Sequence, residues 1–253
     1  MNSQLLILVA LLLPVIGVLC ISLTKNNINQ RETSTLIVSI ALMYVVFSLL
    51  PDVLNGVNPE LYLFDVAPGL SIHFKIEPLG MLFACIASFL WFINSIYSIG
   101  YMRANGYKNQ TRFYIYFALA IASTIGIAFS ANLFTLFIFY EFLTLTTYPL
   151  VTHKETDEAK RAGRIYLGFL LATSICLFLP AIIWTYQLTG IIHFTPGGVF
   201  NDQHESTVIV ILLIIFVYGI GKAALMPVHR WLPFAMVAPT PVSALLHAVA
   251  VVK

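Results

Sequence analysis

Four ionisable side chains lie within otherwise apolar segments, and their types suit the binding and release of protons. An ionised group at the centre of a membrane helix costs about 2.5–3.5 kcal/mol on insertion scales, so such groups usually face a bundle interior and pair there. Carboxylate and ammonium groups offer opposite charges, and histidine titrates near neutral pH. The four candidates for proton transfer are Glu141, Lys222, His247 and Lys253.

Glu141 and Lys222 are the predicted centre of this chemistry. A desolvated lysine loses its proton readily, whereas a nearby carboxylate favours the charged form, so a change in their separation changes the lysine's proton affinity. The threonine-rich turn between Thr144 and Tyr148 adds hydroxyls that could hold water beside the carboxylate. The alternative is architectural: a helix–helix hydrogen bond for Glu141, and a lysine that extends to the membrane surface for Lys222.

The sequence around Lys222 predicts a broken helix. Proline removes a backbone donor and clashes with the preceding turn, and broken helices are tolerated at membrane depth where protein encloses them or they line a wet cavity. Gly219 and Gly221 permit close packing or local unwinding beside the lysine. The prolines that follow are Pro227, Pro233, Pro239 and Pro241.

His247 and Lys253 share the last apolar segment. On a helix their spacing corresponds to about 9 Å of rise and about 120° of rotation, so they point to different neighbours along one short stretch. Waters can bridge such gaps, and the pair therefore predicts a relay. The alternative for His247 is a hydrogen-bonded core histidine.

Composition places these residues in a membrane. Of 253 residues 59% are hydrophobic and 9% are charged, with mean hydropathy +0.90, against about 25% charged in soluble domains. The net charge of +2 is spread over separate loops, so no basic face for nucleic acid is expected. Cys20, Cys85 and Cys176 lack metal-ligand spacing, and we expect no metal site and no cofactor.

The expected fold is an all-α polytopic helix bundle with about eight transmembrane segments, the seventh broken, plus a short external β-hairpin. A spanning helix needs about 20 mostly apolar residues. Alternation of apolar and polar residues around an Ala-Pro-Gly turn predicts the hairpin at about residues 60–77. The predicted spans lie near residues 5–23, 36–54, 79–101, 113–130, 133–151, 165–188 and 208–226, and an eighth begins after Pro241.

Basic residues alternate between the two ends of the predicted bundle. The loops after spans one, three and five hold nine of them, whereas the opposite loops hold only Lys75. By the positive-inside rule the nine face the cytoplasm, so we predict a multi-pass protein of the cell inner membrane with an external N-terminus. The nine are Lys25, Arg31, Arg103, Lys108, Arg112, Lys154, Lys160, Arg161 and Arg164.

Three stretches carry a family resemblance: NLFTLFIFYEFLTLTTYPLVTH, GKAALMPVHRWLPFAMVAPTPVSALLHAVAVVK, and PLGMLF at the end of the hairpin. They resemble the antiporter-type subunits shared by Mrp-type multisubunit cation/proton antiporters, respiratory complex I and membrane-bound hydrogenases. The resemblance covers essentially the whole chain and is densest from Arg112 onward. The segments THKE and LLHAVAVVK are more similar to the Mrp branch than to complex I.

The resemblance implies that spans four to eight form one five-helix unit, which an inverted copy follows. Residues 1–111 would then hold helices 1–3 with the hairpin, and residues 112–253 the first proton-translocating unit, truncated in helix 8. Glu141 matches the family's fifth-helix acid and Lys222 the seventh-helix lysine beside the break. His247 and Lys253 match the eighth-helix relay positions.

The function implied is that of a proton-translocating subunit of a multisubunit monovalent cation (Na+)/proton antiporter, a transporter subunit rather than an enzyme. Its expected partners are other membrane subunits, the lipid bilayer, protons and Na+, without nucleic acid. One alternative is a proton-pumping membrane subunit of a complex I-like NADH:quinone oxidoreductase or membrane hydrogenase. The other is a structural membrane scaffold whose charges are architectural. The eighth helix runs about twelve residues beyond Pro241, too short to cross, and the resemblance implies that the second unit is absent.

Overall fold

The computed structural model describes residues 3–67, 69–200 and 205–251, and most of them are helical. The helices are α1 (Ser3–Leu23), α2 (Ile28–Leu54), α3 (Pro78–Ala104), α4 (Gln110–Ala128), α5 (Leu133–Val151), α6 (Asp157–Thr173), α7 (Leu179–Thr189), α8 (Ser206–Gly219), α9 (Trp231–Ala235) and α10 (Thr240–Leu245). Strands β1 (Glu60–Ala67) and β2 (Leu70–Lys75) lie between α2 and α3. The shorter turns are π-helical at Ser174–Phe178 and Leu246–Val251, and 3₁₀-helical at Gly221–Ala223 and Val228–Arg230.

Six helices in the described ranges are long and apolar enough to cross a membrane. They are α1 to α5 and the continuous run Asp157–Thr189, which includes α6, the π-helical turn and α7. Helix α8 has 14 residues and ends at Gly219, so the seventh predicted span is broken as expected. Helix α10 starts at Thr240, beside the predicted start of the eighth. The expected polytopic bundle is confirmed.

The hairpin between α2 and α3 is also confirmed. Its strands are antiparallel, with Glu60 opposite Lys75 and Ala67 opposite Leu70, and the register shifts twice between these ends. Thr135 at the start of α5 donates through Oγ1 to the Ser71 carbonyl at 3.2 Å and accepts the His73 N–H at 3.1 Å. The hairpin is therefore fixed to the helix that carries Glu141.

Polar side chains set the starts of α5 and α6. Asn132 accepts the Thr135 N–H at 2.7 Å, which satisfies one of the free donors at the start of α5. Thr156 accepts the Ala159 N–H at 3.2 Å, and acidic side chains fill the first turn of α6. Helix α5 is thus anchored at Leu133, which places Glu141 near its middle.

Helix α4 lies at the centre of the bundle and packs against α1, α3 and α5. Its buried face includes small residues, which allow the neighbouring backbones to approach closely. At Gly126 an added Cβ would collide with the ring of Phe139 on α5. The close contact between α4 and α5 therefore depends on a residue without a side chain at this position.

The loops rich in basic residues gather at one end of the bundle. Arg103 on α3 binds the carboxylate of Glu32 on α2, and Arg31 donates to Gln110 Oε1 at 2.7 Å. Arg112 binds Glu155 after α5, with 2.5 Å between Nη1 and Oε1. Helix α2 begins at residue 28, before the predicted span start at 36, because the Asn27 side chain caps it by accepting the Asn29 N–H at 3.1 Å. Which end faces the cytoplasm stays a prediction.

Candidate functional site

Glu141 is held half-buried on α5, with its Oε1 atom enclosed in the protein. Within the described part of the chain this atom has no hydrogen-bond partner. Ser174, in the π-helical turn after α6, lies near the carboxylate, and its hydroxyl donates to the Leu171 carbonyl at 3.2 Å. A π-helical turn inside a helix is frequently found at functional sites. The sixth span is therefore irregular at the level where it meets the acid.

Lys222 lies in the first of the two 3₁₀ turns that follow α8, at the point where the seventh span is interrupted. The turn runs from Gly221 to Ala223, and Ala224 follows in the left-handed conformation at φ 51°. Lys222 is 1% exposed and is one of the largest fully buried side chains. The lysine thus lies in the protein interior, so the alternative in which it extends to the membrane surface does not describe this structure.

The break begins before the first proline, where two glycines contact the sixth span. A Cβ added at Gly219 would lie 2.6 Å from the backbone nitrogen of Phe178, and one at Gly221 would collide with Thr173. Trp231 donates its indole N–H at 2.9 Å to the Gly221 carbonyl, which also accepts the Ala224 backbone N–H at 3.1 Å. Close packing and this hydrogen bond therefore fix the position of the turn that contains Lys222.

Tyr140, the residue before the acid, makes three contacts with Lys222. The ammonium nitrogen donates to the Tyr140 backbone carbonyl at 2.5 Å and lies 3.4 Å from the centroid of the Tyr140 ring. The Lys222 backbone N–H donates to the Tyr140 hydroxyl at 3.2 Å. Both the side chain and the backbone of the lysine are thus attached to one residue of α5.

Glu141 and Lys222 share this site without a direct ion pair. The salt bridges between described residues, which require an N–O distance of 4.0 Å or less, do not include this pair. The two groups nevertheless interact electrostatically. In this structure the ammonium is bound at Tyr140, while Oε1 of the acid has no hydrogen-bond partner among the described residues.

The threonines after Glu141 use their hydroxyls within the protein. Thr144 donates to the Tyr140 carbonyl at 3.1 Å, and Thr147 donates to the Leu143 carbonyl at 2.6 Å. Thr147 Oγ1 also lies 2.6 Å from the hydroxyl of the fully buried Tyr166. Each of these hydroxyl oxygens can still accept a hydrogen bond, so water held by this turn beside the carboxylate stays a prediction.

The two remaining predicted relay residues lie at the end of the chain. His247 is exposed and belongs to the π-helical segment Leu246–Val251, which packs against the 3₁₀ turn that contains Lys222. Lys253 lies outside the described residues. The structure therefore brings Glu141 and Lys222 into one site and places His247 on an adjoining element.

Tyr140 is the residue of this site that sequence reasoning missed. Its contact with the ammonium uses a backbone carbonyl and a ring face. Neither group distinguishes this residue in the sequence from other aromatic residues of a membrane helix. Its position directly before an intramembrane acid was the available indication. Among the described residues, no group of three or more His, Cys, Asp or Glu side chains could hold a metal ion.

Known membrane proteins resemble this chain in sequence and in fold. Residues 130–253 match the family described as NADH:quinone oxidoreductase/Mrp antiporter, TM. A Staphylococcus haemolyticus protein that carries the name antiporter subunit mnhA2 is 29% identical over 209 residues, which cover 81% of this chain and 26% of the relative. NAD(P)H-quinone oxidoreductase subunit 5, organellar chromatophore 1, of Paulinella chromatophora is 27% identical over 250 residues, 93% of this chain and 37% of the relative.

A solved structure shares the fold. It is a chain of the membrane-bound sulfane sulfur reductase (MBS), an archaeal respiratory membrane complex, with a TM-score of 0.84 and 20% identity over 97% of this chain and 50% of that one. The present chain spans half or less of the length of these three proteins. The chain is therefore a multi-pass membrane protein that is similar to antiporter-type membrane subunits of Mrp antiporters and NADH:quinone oxidoreductases, and the match to their family lies in residues 130–253.

Proposed function

We propose that this chain is a proton-translocating subunit of a multisubunit monovalent cation/proton antiporter, with Na+ as the exchanged cation. In this proposal Lys222 binds and releases the proton, and Glu141 changes the lysine's proton affinity. The observation that carries it is a fully buried lysine in a helix break, beside an acid whose Oε1 has no hydrogen-bond partner among the described residues.

The physical basis is the balance between burial and local partners. Burial opposes a charged ammonium, whereas a carbonyl oxygen, an aromatic face and a carboxylate each favour it. Proton binding at Lys222 therefore depends on which of these partners the ammonium contacts. A difference of one pKa unit between two positions corresponds to about 1.4 kcal/mol, so a modest movement changes the occupancy of the proton substantially.

His247 and Lys253 complete the proposed path. His247 receives the proton from the site, since its segment packs against the turn that carries Lys222, and Lys253 passes it onward. In this proposal residues 112–253 form the proton-translocating unit and residues 1–111 the N-terminal helices with the hairpin. The loops rich in basic residues face the cytoplasm of a cell with an inner membrane, the N-terminus is external, and other membrane subunits surround the chain.

A transport assay on the complete complex tests the proposal. Everted membrane vesicles would be energised, and the loss of the pH gradient on addition of NaCl would be followed with a fluorescent dye. We expect Glu141→Gln and Lys222→Met each to lower antiport about tenfold or more, a loss typical of removed proton-transfer groups. The double variant should be no worse than Lys222→Met, because groups that act as a unit are not additive.

Matched control variants show whether a loss of antiport is specific to this site or follows from the removal of any charged side chain. Glu158→Gln and Lys160→Met remove an acid and a base from the exposed start of α6, and both should leave antiport unchanged. If the two site variants assemble normally and retain wild-type antiport, the charges are architectural, as in a scaffold, and the proposal is wrong.

A second candidate is a proton-pumping subunit of a redox-driven complex. The Paulinella chromatophora relative favours it, because the match covers 93% of this chain and that relative is named as a quinone oxidoreductase subunit. Purification of the native complex distinguishes the two. Bound flavin or iron–sulfur centres with NADH-driven pumping support the redox complex, whereas antiport without an added electron donor supports the antiporter.

A further inference from the structure

We propose that Tyr140 is a positioning residue that gives the Lys222 ammonium a second binding position, distinct from Glu141, and thereby helps to set the lysine's proton affinity. This inference rests on the proposed function of Lys222 in proton transfer. The second position consists of the Tyr140 ring face and the Tyr140 backbone carbonyl, and it is called the Tyr140 position below.

The geometry shows that the ammonium occupies the Tyr140 position in this structure. Nζ lies 2.5 Å from the carbonyl oxygen and 3.4 Å from the ring centroid. Consecutive residues on a helix point about 100° apart, so the ring and the Glu141 carboxylate leave α5 in different directions. The ammonium therefore has two separate partners on α5, and a movement between them exchanges an aromatic face for a carboxylate.

The tyrosine ring is itself fixed by packing. The ring of Phe178 meets it edge-on with 5.5 Å between centroids, and Phe178 also contacts the ring of Phe216 on α8 at 5.9 Å. The backbone of Phe178 lies against Gly219, where the helix break begins. The face that binds the ammonium is thus held by the same contacts that hold the break, which keeps the Tyr140 position aligned with Lys222.

The hydroxyl and the ring of Tyr140 have separable tasks. The hydroxyl accepts the Lys222 backbone N–H at 3.2 Å and so supports the 3₁₀ turn. The ring face and the carbonyl bind the ammonium. Phenylalanine at position 140 removes the hydroxyl contact and retains the ring-face and carbonyl contacts. The Tyr140→Phe variant is therefore the reference for variants in which the attraction of the ring for a cation is weakened without a change of ring shape.

Titratable or charged groups other than Tyr140 lie on several elements around the lysine, and the substitutions at position 140 leave all of them in place. On α5 and α6 they are Glu141 and Tyr166, and on the segments that pack against the 3₁₀ turn they are His229, Arg230 and His247.

The test is a series of fluorinated phenylalanines at position 140, measured in vesicles that contain the complete complex. Fluorine withdraws electron density from the ring face, so the attraction between the ring and a cation becomes weaker. The ring keeps nearly the same volume. From phenylalanine through monofluoro-, difluoro- and trifluorophenylalanine, we expect the alkaline limb of the transport–pH profile to move stepwise to lower pH. The total shift should be about one pH unit, a tenfold loss of proton affinity.

A neighbouring aromatic residue supplies the control. Phe137 lies one turn earlier on α5 and packs against the same Phe178, with 5.8 Å between centroids. The Phe137→Leu variant alters this packing without contact to the ammonium, so its alkaline limb should coincide with that of the wild type. An equal shift in this variant would mean that packing, and not the ring face, sets the profile.

The outcomes keep this inference separate from the proposed function. If Glu141→Gln and Lys222→Met abolish transport but the limb stays fixed across the fluorinated series, the Tyr140 position is rejected and the proposed function stands. If those two variants retain wild-type transport, the proposed function fails and the Tyr140 position fails with it. A stepwise shift together with loss of transport in both site variants supports both.

Discussion

Substitution of two helical glycines by alanine tests whether close packing fixes the helix break. Gly219 ends α8, where an added Cβ would lie 2.6 Å from the nitrogen and 2.8 Å from the Cα of Phe178. These are backbone atoms and cannot rotate away, so α8 must withdraw from the sixth span. Gly168 on α6 has open space in the same position, with nothing within 4 Å.

The two substitutions are expected to change the free energy of unfolding in opposite directions. Alanine gains about 0.5–1 kcal/mol over glycine in a helix, while overpacking costs about 1–3 kcal/mol. At Gly219 the second effect prevails, and the net loss of about 1–2 kcal/mol should lower the unfolding midpoint by about 3–6 °C. At Gly168 only the gain applies, so the midpoint should rise by about 2–3 °C.

Circular dichroism of the detergent-solubilised protein during heating gives both midpoints, and transport in vesicles adds a functional readout. Because the 3₁₀ turn moves with the end of α8, Gly219→Ala should also lower antiport, whereas Gly168→Ala should not. A Gly219→Ala variant that matches Gly168→Ala in both measurements would show that the contact with Phe178 does not hold the break in place.

Two further predictions concern the loop end of the bundle. Glu32 is 3% exposed and binds the half-exposed Arg103, so Glu32→Gln should cost about 2 kcal/mol, less than a fully buried pair. Its unfolding midpoint should fall further than that of Glu158→Gln, which removes only an exposed acid from the first turn of α6, worth about 0.3–1 kcal/mol. His153 is 3% exposed, and burial, with Arg112 nearby, lowers its pKa to about 4. The unfolded state then binds more protons between pH 6.5 and 4, so stability is complete above about pH 6.5 and falls by up to about 3 kcal/mol as the pH drops to 4. His153→Phe should flatten this part of the stability–pH curve, and an unchanged slope would contradict the argument.

The parts of the fold that local sequence determines were predictable. Apolar runs near the length of a bilayer located the spans, and alternation with a turn located the hairpin, because both patterns follow from backbone geometry alone. The intramembrane charges were conspicuous for the same reason, since burial of a charge needs a partner. Glu141 and Lys222 could therefore be chosen without a structure.

The parts of the fold that depend on contacts between distant segments could not be predicted from the sequence. The prolines suggested a break, but its start at Gly219 is set by the backbone of Phe178, forty-one residues earlier in the chain. The π-helical turn at Ser174–Phe178 lies within an apolar run whose letters SICLF carry no indication of it. Tyr140 was missed because its carbonyl and ring face become ligands only when Lys222 is placed beside them.

The hydrogen bond from Trp231 to the Gly221 carbonyl makes this tryptophan an intrinsic fluorescent reporter of the helix break. The indole is fully buried, meets the ring of Tyr166 edge-on at 5.4 Å, and binds the residue directly before Lys222. Indole emission responds to hydrogen bonding and to nearby charge. With the other two tryptophans, Trp91 and Trp184, replaced by phenylalanine, the emission of Trp231 would follow the state of the helix break in real time without an attached dye.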